Sequence, residues 1–479
     1  MRLATKIAYN TIVQIISKII TTILGLLAVA VMARYLGPAG FGEYTTAFTF
    51  ISFFAIIADL GLTLVTVQMI SAPEADENKI VRNLLAMRFV SAAILLTLAP
   101  LVAMFFPFSE SIKLAMLAIL PSFIFTALNQ ILVGVFQKKL RMDKTAIADT
   151  VNRVIMFIGI IISIKLDYGL LGIMLSISAG GAASFILHLI FSVGYIKPGW
   201  EFDFKLWREV AARSWPLALT IIFNLLYLKT DTLILSIIKG QEDVGVYGAS
   251  YKVLDILTTL PFMFAGVIMP IFTAAWKEGQ KDYFKKILQR SFDLMLILAV
   301  PLAIGAQILS KPIMLAVTGK GFSASGPILS ILMVAAALVF LSCLLSHVMV
   351  SVGKQKEIIF SYLFTAATSV AAYLIFIPHY SYFGAAAVTI YSELTITIFM
   401  LYYVKRYTGI MPNWKILPKA IAASLLMNLA IWGIMLIMPN KNSNLSLLIT
   451  IPTAIAIYFA LLYVLKGIKK DDLSILLKK

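Results

Sequence analysis

Charge is scarce in this 479-residue chain: 13% of residues are Asp, Glu, Lys or Arg, about half the share of an ordinary soluble domain. Hydrophobic residues supply 61%, and mean hydropathy is +0.94. So much apolar surface does not fit inside one water-soluble core, which excludes a cytosolic enzyme. Cysteine is almost missing. Cys343 stands alone, so no intramolecular disulfide framework is available, and three histidines beside it leave no zinc constellation. The sequence also lacks the glycine-rich P-loop signature and a GxSxG elbow, so neither nucleotide hydrolysis nor serine-hydrolase chemistry is expected. Glycine and proline are ordinary at 27 and 17, which excludes collagen and low-complexity disorder. No cofactor and no metal are expected.

What remains is apolar runs. A bilayer core of roughly 30 Å needs about 20 helical residues, and about fourteen such runs follow one another, the first over roughly 8–35 and the last over roughly 446–466. Stretches such as Ala92-Ala93-Ile94-Leu95-Leu96 do not alternate, which speaks against membrane strands. The start, Met1-Arg2-Leu3, has no small-residue cleavage pattern, so no cleaved leader is expected. The formal charge of +17 would suit nucleic acid, but its distribution suits a membrane. With the N-terminus cytoplasmic, the even-numbered loops and the termini hold about 27 Lys and Arg, among them Lys138, Lys139, Arg141 and Lys144, against about 7 on the opposite face. That bias predicts both termini in the cytoplasm and anionic lipids as neighbours, with no nucleic-acid partner.

The chain repeats itself. Gly37, Gly42 and Tyr44 match Gly240, Gly245 and Tyr247 at one constant spacing, and Tyr168-Gly169 matches Tyr380-Ser381 at nearly the same spacing. The expected fold class is therefore all-α: a polytopic membrane protein of about 14 helices, in two pseudo-symmetric six-helix lobes plus a C-terminal pair. The boundaries read as 1–196 for the first lobe, 197–213 for a cytoplasmic amphipathic linker rich in aromatics, and 214–412 for the second lobe. The last helix pair and a basic tail occupy 413–479.

The run from Ala33-Arg34-Tyr35-Leu36-Gly37-Pro38 through Phe41-Gly42-Glu43-Tyr44, followed by Ala58-Asp59-Leu60-Gly61-Leu62, resembles the amino-terminal signature of the bacterial polysaccharide transporters. These Wzx-type O-antigen flippases belong to the multidrug/oligosaccharidyl-lipid/polysaccharide exporter superfamily. The resemblance implies a bacterial cytoplasmic-membrane flippase that moves an undecaprenyl-pyrophosphate-linked oligosaccharide from the inner to the outer leaflet by alternating access. It also implies a polysaccharide polymerase as a partner and Na⁺ or H⁺ as a coupling ion. Lipid II flippases of the superfamily typically carry an Arg-Asp pair where Ala28-Val29 stand here, which counts against lipid II as cargo. A cation-coupled drug antiporter of the superfamily is the nearer alternative. A membrane-embedded glycan polymerase is the remote one, because outward loops of about five to fifteen residues leave little room for catalytic groups.

Polar side chains inside spans are expensive and mark function. Asn10, Gln14, Lys18 and Thr21 fall on one face of the first span, and Thr45, Thr49, Ser52, Asp59, Thr63 and Thr66 recur along the second. In the second lobe, Asn224, Tyr227 and Asp231 form a stripe beside Lys229, and Tyr247, Tyr251, Asp255 and Thr258 form another beside Lys252. Two roles suit these stripes: lining a wet cleft, or bonding helix to helix. On the first, Lys18, Lys229, Lys252 and Arg153 bind a diphosphate, while Gln14, Asn224 and Tyr251 bind sugar hydroxyls. Asp59, Asp231, Asp255 and Glu393 are the candidate coupling-ion carboxylates. Asp149 and Asn152 cluster with Arg153 on the fifth span, and Arg88 lies within reach of the cytoplasmic end, where it could snorkel. Pro100, Pro121, Pro261 and Pro270 stand where a helix could break into a hinge.

Overall fold

Apolar residues without turn punctuation make helices, and punctuation sets where they end. The structure, a computed structural model, describes residues 3–59, 62, 66, 69–70, 76–437 and 444–467. Thr63, Lys441, the basic tail from 468 and the side chain of Asn224 lie outside the described residues. Among the described residues, twelve α-helices have bounds: α1 (Leu3–Asp59), α2 (Glu77–Ala103), α3 (Glu110–Lys138), α4 (Met142–Lys165), α5 (Gly169–Ser192) and α6 (Phe204–Ile238). They continue as α7 (Gln241–Lys277), α8 (Lys281–Thr318), α9 (Ser325–Ser351), α10 (Ile359–Thr408), α11 (Ile416–Ile437) and α12 (Asn444–Val464). A short 3₁₀ turn, Lys320–Phe322, follows α8.

Two of these helices are each a pair. α1 breaks at Gly37 (φ 66°, ψ 179°), and Pro38 opens the second arm, where its missing N–H costs nothing. α10 breaks at Ser381 (φ 48°, ψ −132°), three residues after Pro378. Counted as arms, the helices named here for the described residues number fourteen, the count that hydropathy predicts. Among the described residues, eleven helices are long and apolar enough to cross a membrane, with each pair counted once. The four prolines expected as hinges sit inside unbroken helices. The breaks fall instead where the backbone takes positive φ.

The chain forms two compact units, Met1–Gly245 and Val246–Lys479. In the first, Leu84, Leu85, Ile131, Leu132, Phe136 and Val210 share one buried core. Outward-facing Ile158, Ile162, Ile186 and Ile190 are exposed, the inside-out pattern of a surface solvated by lipid. α4 and α5 pack closely through small residues: a methyl group on Gly180 would stand 2.7 Å from the Asn152 carbonyl oxygen, and one on Gly159 2.8 Å from Ser176 Cβ. The stretch expected as a separate linker is partly helix. α6 begins inside it at Phe204 and runs on to Ile238. Asn83 accepts from the Asp203 N–H (2.6 Å) and from Trp207 Nε1 (3.2 Å), while Lys79 pairs with Asp203 at 3.0 Å, so the segment is fixed to the start of α2. Trp200, Phe202 and Phe204 remain exposed beside it.

Both marks of the internal repeat have structural counterparts. Gly169 (φ 59°) and Ser381 (φ 48°) adopt left-handed backbone at equivalent positions. Gly42 and Gly245 lie against one another: a methyl on Gly42 would stand 1.7 Å from the Gln241 oxygen, and one on Gly245 1.8 Å from the Pro38 oxygen. Only a residue without Cβ permits so close an approach. Thr46 Oγ1 donates to Gln241 Oε1 at 2.8 Å beside them.

Candidate functional site

The first arm of α1 is fixed by polar anchors. Asn10 is buried; its Nδ2 donates to the Leu140 carbonyl at 2.8 Å and its Oδ1 accepts from the Asp143 N–H at 3.2 Å. Two turns on, Ser17 Oγ donates to the Ala146 carbonyl at 2.9 Å and lies 3.0 Å from Thr150 Oγ1. These bonds set the helix rotation. Ile12, Ile16, Ile19 and Ile23 are exposed on one side, while Gln14 and Lys18 are exposed on the other. An ionised group is costly against acyl chains, so the side that carries Lys18 is the candidate wet face.

α4 completes that side. Asp149 and Arg153, one turn apart, are both exposed, and the charges of Lys18 and Arg153 act on the Asp149 carboxylate. Gln14 Nε2 reaches back to the Asn10 carbonyl at 3.3 Å, and Arg153 Nη1 lies 3.9 Å from the Met156 sulfur, a weak contact that leaves the guanidinium accessible. Two cations, one carboxylate and an amide therefore share a hydrated face. Such a set suits a phosphate bearing neighbouring hydroxyls.

Behind it lies a sealed layer that the sequence did not disclose. His188 on α5 is fully buried, and its Nδ1 stands 2.8 Å from the Ser184 carbonyl oxygen. Asn129 Nδ2 on α3 reaches Ser184 Oγ at 3.4 Å. Neither His188 Nε2 nor Asn129 Oδ1 has a hydrogen-bond partner. A lone histidine within an apolar span was the available signal.

Arg88 corrects an expectation. It does not reach water; its side chain is 2% exposed and pairs with Asp59 at 2.7 Å. It also donates to the Ala58 carbonyl (3.0 Å), the Ala127 carbonyl (3.2 Å) and Gln130 Oε1, tying the end of α1 to α2 and α3. A side chain long enough to snorkel instead found an acid and three acceptors inside. Asp59, expected among the coupling-ion carboxylates, thus has a cation of its own.

The other expected residues are dispersed over several helices. On α6, Asp231 is buried and accepts from the Thr232 N–H at 2.5 Å, while Lys229 is half-buried. In the second unit, Tyr251 is buried with its ring centroid 5.6 Å from that of Tyr247, whose hydroxyl lies 3.3 Å from Thr389 Oγ1. Lys252 and Asp255 on the same helix are half-buried. Glu393, on the second arm of α10, is 2% exposed and accepts from Ser342 Oγ at 3.2 Å. Of the expected headgroup contacts, the described side chains bring Gln14, Lys18 and Arg153 onto one face.

The family pattern described as Polysaccharide biosynthesis protein matches residues 7–276, and the MatE pattern matches 216–377. Stage V sporulation protein B of Bacillus subtilis (strain 168) is 28% identical over 203 residues, 39% of this chain and 39% of that protein. Succinoglycan biosynthesis transport protein ExoT of Rhizobium meliloti (strain 1021) is 19% identical over 321 residues, 67% of this chain and 64% of its own. The matches thus span about two fifths and just under two thirds of those relatives' lengths. Among solved structures, the lipid II flippase MurJ in its inward closed conformation superposes with a TM-score of 0.75 at 17% identity, covering 95% of this chain and 98% of that one. That likeness is one of fold.

Proposed function

The chain belongs to the polysaccharide biosynthesis protein family, within the multidrug/oligosaccharidyl-lipid/polysaccharide exporter superfamily, and from that membership we propose that it flips an undecaprenyl-pyrophosphate-linked oligosaccharide from the inner to the outer leaflet. The observation that carries the reading is the wet face of α1 and α4. There Lys18 and Arg153 present cations, and Gln14 an amide, opposite an isoleucine surface turned to lipid. A diphosphate leaving water needs charge-assisted donors, and its sugars need amides and hydroxyls. Its isoprenoid tail needs only to stay in the bilayer.

In this reading Lys229, Asn224, Lys252 and Tyr251 are further headgroup contacts, and both termini face the cytoplasm. Glu393, sealed with a single hydroxyl donor, is the strongest of the four coupling-ion carboxylates. The transporter works by alternating access, driven by Na⁺ or H⁺ or by consumption of product at the outer surface. A polysaccharide polymerase is the natural consumer. Lys18→Ala, Arg153→Ala and Lys252→Ala, each checked for protein level in the membrane, should abolish export of the cell's glycan. Unchanged export in all three would remove the cationic face from the mechanism. Rescue of cells depleted of their lipid II flippase would instead assign the same diphosphate chemistry to lipid II.

A further inference from the structure

The accessible Asp149 and the sealed His188 stand in register. α4 and α5 run antiparallel, with Asn152 against Gly180, Gly159 against Ser176 and Ser163 Oγ 3.0 Å from Ser176 Oγ. Continuing that register by one turn sets Asp149 opposite the Ser184–His188 turn, and the charges of Asp149 and His188 act on each other. His188 Nδ1 faces the Ser184 carbonyl at 2.8 Å. A carbonyl can only accept, so Nδ1 carries its proton. Nε2 is then a bare lone pair, fully buried and without a partner, and Asn129 Oδ1 is likewise unsatisfied. Leaving a buried polar atom unmade is costly, and of the atoms so placed among the described residues His188 Nε2 is the one that can take up a proton.

We propose that Asp149, Ser184, His188 and Asn129 form a proton-binding site of the first unit, loaded from the wet face of α1 and α4. The proton comes from water at that face, where Asp149 is exposed. It ends on His188 Nε2, giving an imidazolium whose positive charge the Asp149 carboxylate offsets. Nothing is oxidised, no covalent bond between heavy atoms changes, and the unit gains one positive charge.

The groups surrounding His188 fit this assignment. α4 brings Asp149, and Lys18 on α1 and Arg153 on α4 act on that carboxylate. α3 brings Asn129 and the Phe136 ring, 5.9 Å from the imidazole, neither of which titrates. Lys144 lies over the Phe191 ring at 4.6 Å, nearly one turn further along α5. Lys18 and Arg153 share the Asp149 carboxylate with His188, so an anion that occupies these cations leaves that carboxylate to the imidazolium, and the two loadings favour each other. The site deepens the flippase reading by giving it a proton partner, yet proton binding itself requires no particular cargo.

The test uses the full chain in lipid nanodiscs and follows deuterium exchange at the C2 position of each histidine by mass spectrometry as a function of pH. His188 should exchange at least about tenfold more slowly than His379, and Asp149→Asn should move its profile to lower pH, because the carboxylate that favours the imidazolium is gone. His347 and His379 should not move. On acidification, His188→Gln should take up about one proton fewer per chain than wild type in an unbuffered dye assay. An unmoved His188 profile in Asp149→Asn, or equal proton uptake in His188→Gln, overturns the proposal. Asp149→Asn, nearly isosteric and at an exposed position, keeps the test open should His188→Gln fail to fold. Loss of glycan export in both variants with an unchanged His188 profile would overturn the proton site while leaving the flippase reading intact.

Discussion

Replacing Arg88 by methionine keeps most of the stem and removes the guanidinium. Four acceptors lose the guanidinium together: Asp59 Oδ1 at 2.7 Å, the Ala58 carbonyl at 3.0 Å, which keeps Ser91 Oγ at 3.2 Å, the Ala127 carbonyl at 3.2 Å, and Gln130 Oε1. Breaking a buried ion pair from one side costs about 3–5 kcal/mol in soluble proteins, because the remaining charge is left uncompensated. The three neutral hydrogen bonds add less. In a bilayer such bonds average about 0.6 kcal/mol, since the unfolded chain finds other partners there. Asp59 retains partial exposure, at 16%, which places the ion-pair loss at the lower end. The expected destabilisation is therefore about 3 kcal/mol. Denaturant titration of the purified protein in detergent would read it, with an Asp59→Asn/Arg88→Met cycle to isolate the pair. The double variant should be at least about 1 kcal/mol more stable than the two single losses add to. A single variant within about 0.5 kcal/mol of wild type, or a cycle without coupling, would refute the assignment of Arg88 as the lock between α1, α2 and α3.

Gly42→Ala places a methyl 1.7 Å from the Gln241 carbonyl oxygen, which is backbone and cannot swing aside. Thermal unfolding should show a loss of about 1–3 kcal/mol or more, whereas Gly25→Ala, with nothing nearby, should be neutral or stabilising. Tyr35→Phe removes a hydroxyl that donates to Asp167 Oδ1 at 2.5 Å and accepts from the Gly169 N–H at 3.1 Å; about 1 kcal/mol should be lost on chemical denaturation. The Lys79 ammonium, bonded to Asp203, holds that carboxyl below the usual carboxylate range. Its contribution is complete above the ordinary value and fades as pH falls through the lowered one. Amide exchange at Lys205 and Leu206 should accordingly rise as the pH drops below about 4, and Asp203→Asn should abolish that dependence.

Much of the architecture was legible because the bilayer imposes a single length scale on every span. The helix count followed from hydropathy alone, and the residue matches of the duplication marked where positive φ recurs at Gly169 and Ser381. Side-chain partners were not legible in the same way. A polar stripe names the face of a helix but not the neighbour it meets. Lys18 and Arg153 lie far apart in sequence and share a face only because Asn10 and Ser17 set the rotation of α1 on α4. Arg88 looked free to reach water because its depth could be counted and its acceptors could not. His188 drew no notice for a related reason: its significance lies in Asn129, Ser184 and Asp149, contributed by three helices.

The two equivalent left-handed positions differ in one atom group, and that difference separates the halves mechanically. Gly169 adopts φ 59° without penalty, whereas Ser381 holds φ 48° and ψ −132° against its own Cβ, a conformation costing on the order of 1–3 kcal/mol. The corner between α4 and α5 places its other positive φ on Asp167 (φ 54°), a residue whose short polar side chain tolerates that region, whereas the corner within α10 places it on a serine. That corner opens the arm of α10 that carries Glu393, so the strained serine fixes where the buried carboxylate's arm begins.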